Sequence, residues 1–150
     1  MRKIIVLSGA TASGKSRAAL HLCEIFPDTF EIVSADSIQI YRYLDIGSSK
    51  PDKADLQKIK HHLIDIVDPS FSYKASDFVA DAFSASEDIF SRGKIPLFVG
   101  GSGMYLEAFF EGLSVTPEAS SVIIQEIQNE GSLRGWDSMH EELMEIDPDA

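Results

Sequence analysis

The sequence predicts an α/β fold, a parallel sheet flanked by helices. Short apolar runs alternate with amphipathic stretches through the first 113 residues. Glycine-rich or polar segments fall directly after the apolar runs, where such sheets carry their ligand loops. At 150 residues and 44% apolar content, the chain has material for a real core.

The elements follow in order. Lys3–Ser8 is an apolar run of strand length. Lys15–Phe26 has helical spacing, with Ala18, Ala19, Leu22, Cys23 and Phe26 on one face, and Pro27-Asp28 ends it. Glu31–Ser34 reads as a second strand, and the polar stretch after it runs as a loop to Pro51. Leu63–Val67 reads as a third strand, stopped by Asp68-Pro69. Ser76 reads as an N-cap, opening a helix with Phe78, Val79, Ala82, Phe83, Ser86, Ile89 and Phe90 on one stripe. Arg92-Gly93 closes that helix. Ile95–Val99 is a continuous apolar strand, and the turn Gly100-Gly101-Ser102-Gly103 leads into another helix.

Two regions are expected, an α/β core over 1–113 and a helical segment over 114–150. In the second, Pro117–Glu130 and Gly135–Ile146 read as an appended helical hairpin, striped by Val122, Ile123 and Ile127 and by Trp136, Met139, Leu143 and Ile146.

The net charge of −11 argues against nucleic acid at first sight, but its distribution weakens that argument. Residues 1–100 hold 12 basic and 13 acidic side chains, whereas residues 101–150 hold one arginine and 11 acids. Cys23 stands alone, so no internal disulfide forms; with no signal peptide and no apolar run of membrane-spanning length, a cytoplasmic protein without membrane association is expected.

The chemistry begins at Gly9-Ala10-Thr11-Ala12-Ser13-Gly14-Lys15-Ser16, which fits G-x-x-x-x-G-K-[ST] between a strand and a helix. The glycines allow a tight turn, whose N–H groups and helix N-terminus converge on an anion. Lys15 adds a mobile charge for phosphates, and Ser16 offers a hydroxyl to Mg2+. The pattern specifies a diphosphate and says nothing of the rest of the ligand.

A typical nucleotide hydrolase of this kind sets an Asp at the end of another apolar strand. Here Ile95–Val99 ends in glycines, and the acid directly after a strand is Asp36. Asp36 could assist Mg2+, take a proton from a nucleophile, or simply cap a turn. The Gly100–Gly103 turn is either a second anion nest or close strand–helix packing. His61-His62 lacks further ligands at metal spacing, and Tyr41 and Tyr43 could stack on a base or merely pack.

Taken together, "GATASGKS", "VSADSIQIYRYLDIGSSKP", "HHLIDIVDP", "FVADA" and "IPLFVGGSGMYLEAFFEGL" resemble the tRNA dimethylallyltransferases, also called tRNA isopentenyltransferases. The resemblance is close over about 3–113 and looser beyond. It implies a P-loop kinase-like core with a helical insertion, in a family whose members extend further, so the C-terminal half of the family fold is expected to be absent here. It implies transfer of a dimethylallyl group from dimethylallyl diphosphate to N6 of the adenosine 3′-adjacent to the anticodon, with Mg2+ assisting. Thr11–Ser16 match residues that hold the diphosphate, and Gly9 and Ala10 complete that loop. Asp36 matches the general base. Asp36, Ser37, Ile38 and Gln39 match the segment contacting the target nucleotide. Ser102 stands near the RNA where the family usually has Thr. The expected partners are the tRNA anticodon stem-loop and dimethylallyl diphosphate, with the chain a monomer. A small-molecule kinase, a prenyltransferase of free adenine nucleotides and an inactive diphosphate-binding fragment stand as alternatives.

Overall fold

The computed structural model describes residues 2–113 and 119–148. These fall in two compact units, Met1–Ser114 and Val115–Ala150.

The first unit runs β1 (Ile5–Ser8), α1 (Lys15–Ile25), β2 (Phe30–Ser34), α2 (Lys53–Lys58), β3 (His61–His62), α3 (Ala75–Ser91), β4 (Ile95–Gly100) and α4 (Gly103–Glu111). The sheet order is β1-β4-β2-β3 and every pairing is parallel. Ser8 pairs with Gly100 and Ser34 with Val99, so β1, β2 and β4 end at one level. The loops that follow them therefore leave the sheet side by side.

Both faces of β2 and β4 are covered, whereas Ile5 and Val6 of the edge strand β1 are exposed. Ala19 and Cys23 of α1 pack on Ile32, Leu97 and Val99. On the other face Val33 and Phe98 meet Phe78, Ala82 and Ile89 of α3 and Tyr105 and Leu106 of α4. Neighbouring residues point to opposite faces, which is why β4 reads as an unbroken apolar run rather than an alternating one. The Phe78 ring stacks on Tyr105 with centroids 4.6 Å apart.

Several boundaries differ from expectation. The third strand is His61–His62, not Leu63–Val67. Leu63 and Asp65 have φ of +60° and +56°, which no strand accommodates. The segment instead docks on the loop after β2: the N–H of Asp65 donates to Gln39 O, and those of Ile66 and Val67 to Ile40 O. Helix α2 lies in a stretch left unassigned by sequence, with Asp52 capping it by accepting from Asp55 N–H at 2.8 Å. Helix α3 opens at Lys74, not Ser76, because Asp77 Oδ2 accepts the Lys74 N–H at 2.8 Å. Phe83 leaves the predicted stripe, 61% exposed, and Ala85 takes a buried place. Ala18 is likewise exposed on α1.

One buried charge was invisible in the sequence. Glu31 of β2 is 2% exposed. It accepts from Arg92 Nε at 3.0 Å and Nη2 at 2.7 Å, and from His62 Nε2 at 2.7 Å, with the Lys60 and Lys94 ammonium groups at 3.8 and 3.6 Å. Burial alone would raise its pKa, but the bonds to Arg92 and His62 pull it to about 2. His62 thus serves a carboxylate, and His61 Nδ1 sits 2.8 Å from Ile59 O. Among the described residues no cluster of three or more His, Cys, Asp or Glu is placed to hold a metal.

The second unit contains α5 (Ser121–Arg134) and α6 (Trp136–Ile146). The expected first helix of the pair, Pro117–Glu130, begins later and ends later than read; residues 117 and 118 lie outside the described residues. The Ser120 hydroxyl caps α5 by accepting from Ile123 N–H. Gly131 is buried under the Trp136 indole, and Arg134 bridges Glu130 and Glu142. Among the described residues no helix is long and apolar enough to cross a membrane.

Candidate functional site

The glycine-bracketed loop joins β1 to α1. Ser13 N–H donates to Ala10 O at 3.3 Å, closing a turn in which Ala12 holds φ +62°. Gly14 precedes α1 with φ +87°, a left-handed geometry that a side chain resists. The first turn of α1 carries no acidic side chain, so its partial positive charge is uncompensated. Lys15 Nζ donates to Gly9 O at 2.8 Å and Ala10 O at 2.6 Å, and so spans the loop's own mouth.

Facing the loop is the turn after β2. Asp36 Oδ1 accepts the N–H groups of Ile38 at 2.9 Å and Gln39 at 3.2 Å. The turn-capping reading of Asp36 is therefore what one carboxylate oxygen does. Oδ2 takes no hydrogen bond from the described residues. Ser37 N–H donates to Ser102 Oγ at 3.0 Å, and Ser102 N–H to Ala35 O at 3.2 Å. The Gly100 turn thus buttresses the Asp36 turn from behind. A Cβ on Gly100 would lie 2.0 Å from Ala35 O, so only glycine lets β4 and the Asp36 turn approach this closely. At Gly100 the close-packing reading of the glycine turn is the observed one.

Gln39 is buried, and its amide is spent on the wall. Oε1 accepts from Ser34 Oγ at 3.0 Å, while Nε2 donates to Ser48 O at 3.2 Å and Ser49 O at 3.1 Å. Both amide hydrogens are used, which leaves neither for a nucleotide.

Between these parts lies a cleft of about 690 Å³. Thr11, Ala12, Ser13, Gly14, Lys15, Ser16, Asp36, Ile38 and Gln39 line it, together with Gly100 and Gly101. Gly9, Ala10, Ser37 and Ser102 stand outside the lining, as the frame that holds it. Tyr41 packs, its hydroxyl accepting from Tyr73 N–H at 3.1 Å, while Tyr43 is 77% exposed. The cleft's far wall was not read from sequence. It includes Lys50, Asp55, His61 and Ile64, and burial pushes the His61 pKa down, toward the neutral imidazole. Lys50 lay in plain view in "GSSKP", but its acceptors are set by the fold of its own loop, at Tyr41 and Asp45, and by the 63–67 segment, at Asp65.

The donor set suits a divalent ion held in large part by substrate. Ser16 lines the cleft and carries a hydroxyl, and no dedicated carboxylate cage forms among the described residues. Mg2+ is commonly bound in this way, with phosphate oxygens and water completing its shell.

The chain is similar to known proteins over nearly its whole length. Residues 39–150 match the family model of IPP transferase, and residues 2–70 that of isopentenyl transferase. The full-length tRNA isopentenylpyrophosphate transferase of Bacillus halodurans superposes with a TM-score of 0.71 at 33% identity, covering 99% of this chain and 49% of that one. The tRNA delta(2)-isopentenylpyrophosphate transferase of Staphylococcus epidermidis gives 0.69 at 30%, covering 99% and 48%. A eukaryotic dimethylallyltransferase acting on tRNA gives 0.73 at 30%, covering 99% and 37%. The chain spans about half the length of the first two.

Proposed function

The chain belongs to the IPP transferase family, the tRNA isopentenyltransferases, and from that premise we propose that it transfers a dimethylallyl group from dimethylallyl diphosphate to N6 of the adenosine 3′-adjacent to the anticodon in tRNA. The N6 amine attacks C1 of the prenyl chain. The C1–O bond breaks and diphosphate leaves with the electron pair. The proton on N6 passes to Asp36.

The observation that carries this reading is the placement of the phosphate loop and Asp36 on one cleft. The loop's N–H groups and the N-terminus of α1 are aimed where negative charge grows as diphosphate departs. Lys15 adds its charge there by turning from the Gly9 and Ala10 carbonyls. Ser16, which lines the cleft, would hold Mg2+, and the ion when bound would supply further charge neutralisation to the leaving group. Asp36 Oδ1 is fixed by two N–H groups, which leaves Oδ2 to take the proton. A positioned base of this type contributes about 10²–10⁴-fold. Ser37, Ile38 and Ser102 hold the turn against which the target nucleotide would lie. Gln39 acts on that turn from within the wall.

The test incubates the full natural chain with labelled dimethylallyl diphosphate and an anticodon stem-loop, then digests the RNA to nucleosides. Label on N6-dimethylallyladenosine is expected. Absence of label from RNA, or phosphorylation of a small acceptor from ATP instead, overturns the proposal.

A further inference from the structure

Two lysines border the cleft, and their environments differ. Lys15 bonds two neutral carbonyls of its own loop in an exposed setting. The Lys50 side chain is only 6% exposed, and Nζ has three acceptors: Tyr41 O at 2.6 Å, Asp45 Oδ1 at 3.1 Å and Asp65 Oδ1 at 2.5 Å. An ammonium has three protons, so Lys50 is saturated. Its single positive charge is already outnumbered by two carboxylates.

We propose that Lys50 is a positioning residue for the Asp36 carboxylate, tying the loop after β2 to the 63–67 segment, and that it takes no part in gripping the diphosphate. The inference rests on the prenyl-transfer reading above. Its path is a continuous chain of bonds. Lys50 Nζ holds Asp65 Oδ1, Asp65 N–H holds Gln39 O, and Gln39 N–H holds Asp36 Oδ1. A second arm runs from Nζ to Tyr41 O, closing the loop back on itself. Asp65 and Ser49 sit at φ +56° and +53°, in the sparsely populated left-handed region, and the bonds from Lys50 to Asp65 and from Gln39 to Ser49 O help hold the loop there. Burial by itself would lower the ammonium pKa, but the bonds to Asp65 and Asp45 more than reverse this, so the pin stays charged.

The competing reading makes Lys50 a second phosphate cation, and one set of measurements on the full natural chain separates the two. The readouts are single-turnover prenyl transfer to the stem-loop and the Kd of dimethylallyl diphosphate. Lys50→Met is expected to slow transfer about 10²-fold, the scale of a misplaced reacting group, with the Kd changed less than about twofold. In an Asp36→Asn background the same change should cost less than about threefold more, because both act through one carboxylate. If Lys50→Met fails to fold, Asp65→Asn carries the test. Asparagine tolerates the left-handed backbone and keeps the N–H to Gln39, and a rate loss of about tenfold with the same pattern is expected.

A Kd weakened tenfold or more, an unchanged transfer rate, or losses that multiply independently of Asp36 would overturn the inference alone. Absence of transfer by the unsubstituted chain overturns the reaction itself, and this inference with it.

Discussion

Gly100→Ala adds one methyl group at the point where β4 meets the Asp36 turn. Its Cβ would sit 2.0 Å from Ala35 O, 2.4 Å from Ala35 C and 2.8 Å from Ala35 Cα. All three atoms are backbone, so no side chain can swing aside. Ordinary contact begins near 3.4 Å, so the Ala35 carbonyl must retreat by about 1.4 Å. That carbonyl accepts the Ser102 N–H, and Ala35 N–H donates to Val99 O at 2.9 Å, so both bonds must stretch or break. Overpacking of this kind costs about 1–3 kcal/mol, and the rigid partner places the expected loss near the upper figure. Asp36 is the next residue along, and a shift of this size should slow transfer about 10²-fold. Urea unfolding of the full natural chain measures the first effect and single-turnover transfer the second. Gly103→Ala is the control: nothing lies within 4 Å of its added Cβ, and it opens helix α4. It should be neutral or slightly stabilising. Matching stability and rate for the two variants would refute the close-approach argument.

Lys15→Met should weaken diphosphate binding about 10–100-fold, the worth of one charge-assisted contact, as read by calorimetry with inorganic diphosphate. Arg92→Met removes both guanidinium bonds to the buried Glu31 carboxylate, leaving it His62 and the more distant Lys60 and Lys94, and should cost roughly 3 kcal/mol in chemical unfolding. The Glu31 pKa falls from 4.5 to about 2 on folding, so its contribution is full above 4.5 and is lost as pH drops toward 2. That contribution is on the order of 3 kcal/mol, and Glu31→Gln should flatten the acid limb of the stability–pH curve. Gly131→Ala puts a methyl 2.6 Å from the Trp136 ring, so the indole must leave its seat on α5. The sole tryptophan, already more than half exposed, should then lose its fixed orientation, which a fall in steady-state fluorescence anisotropy reads directly.

The features legible in the sequence were those written in contiguous residues. The phosphate loop, the strand–helix alternation and the apolar stripe of α3 each depend on near neighbours, and the structure places them close to where the spacing put them. What stayed hidden depends on partners far along the chain. Glu31 looked like an ordinary strand residue because its ligands are at 62 and 92. Lys50 drew no reading of its own, because Asp65 and Tyr41 are brought to it by the fold. Leu63–Val67 misled in another way. Leu63 is 6% exposed and belongs to the core, so its apolar character reports burial correctly, but its φ of +60° rules out a strand. At Leu63 apolar character records burial, whereas backbone geometry is left to the surrounding hydrogen bonds. At Asp36 the sequence posed cap against base, whereas the two carboxylate oxygens allow both.

The decisive comparison is single-turnover prenyl transfer by the full natural chain and by its Asp36→Asn variant, with dimethylallyl diphosphate binding measured on each. Asparagine keeps the Oδ1 cap but cannot take the proton from N6. Transfer should fall about 10²–10⁴-fold while the Kd of the diphosphate stays within about twofold. Transfer at the unsubstituted rate would contradict the assignment of Asp36 as the base, and with it the division of the cleft into a phosphate grip and a proton acceptor.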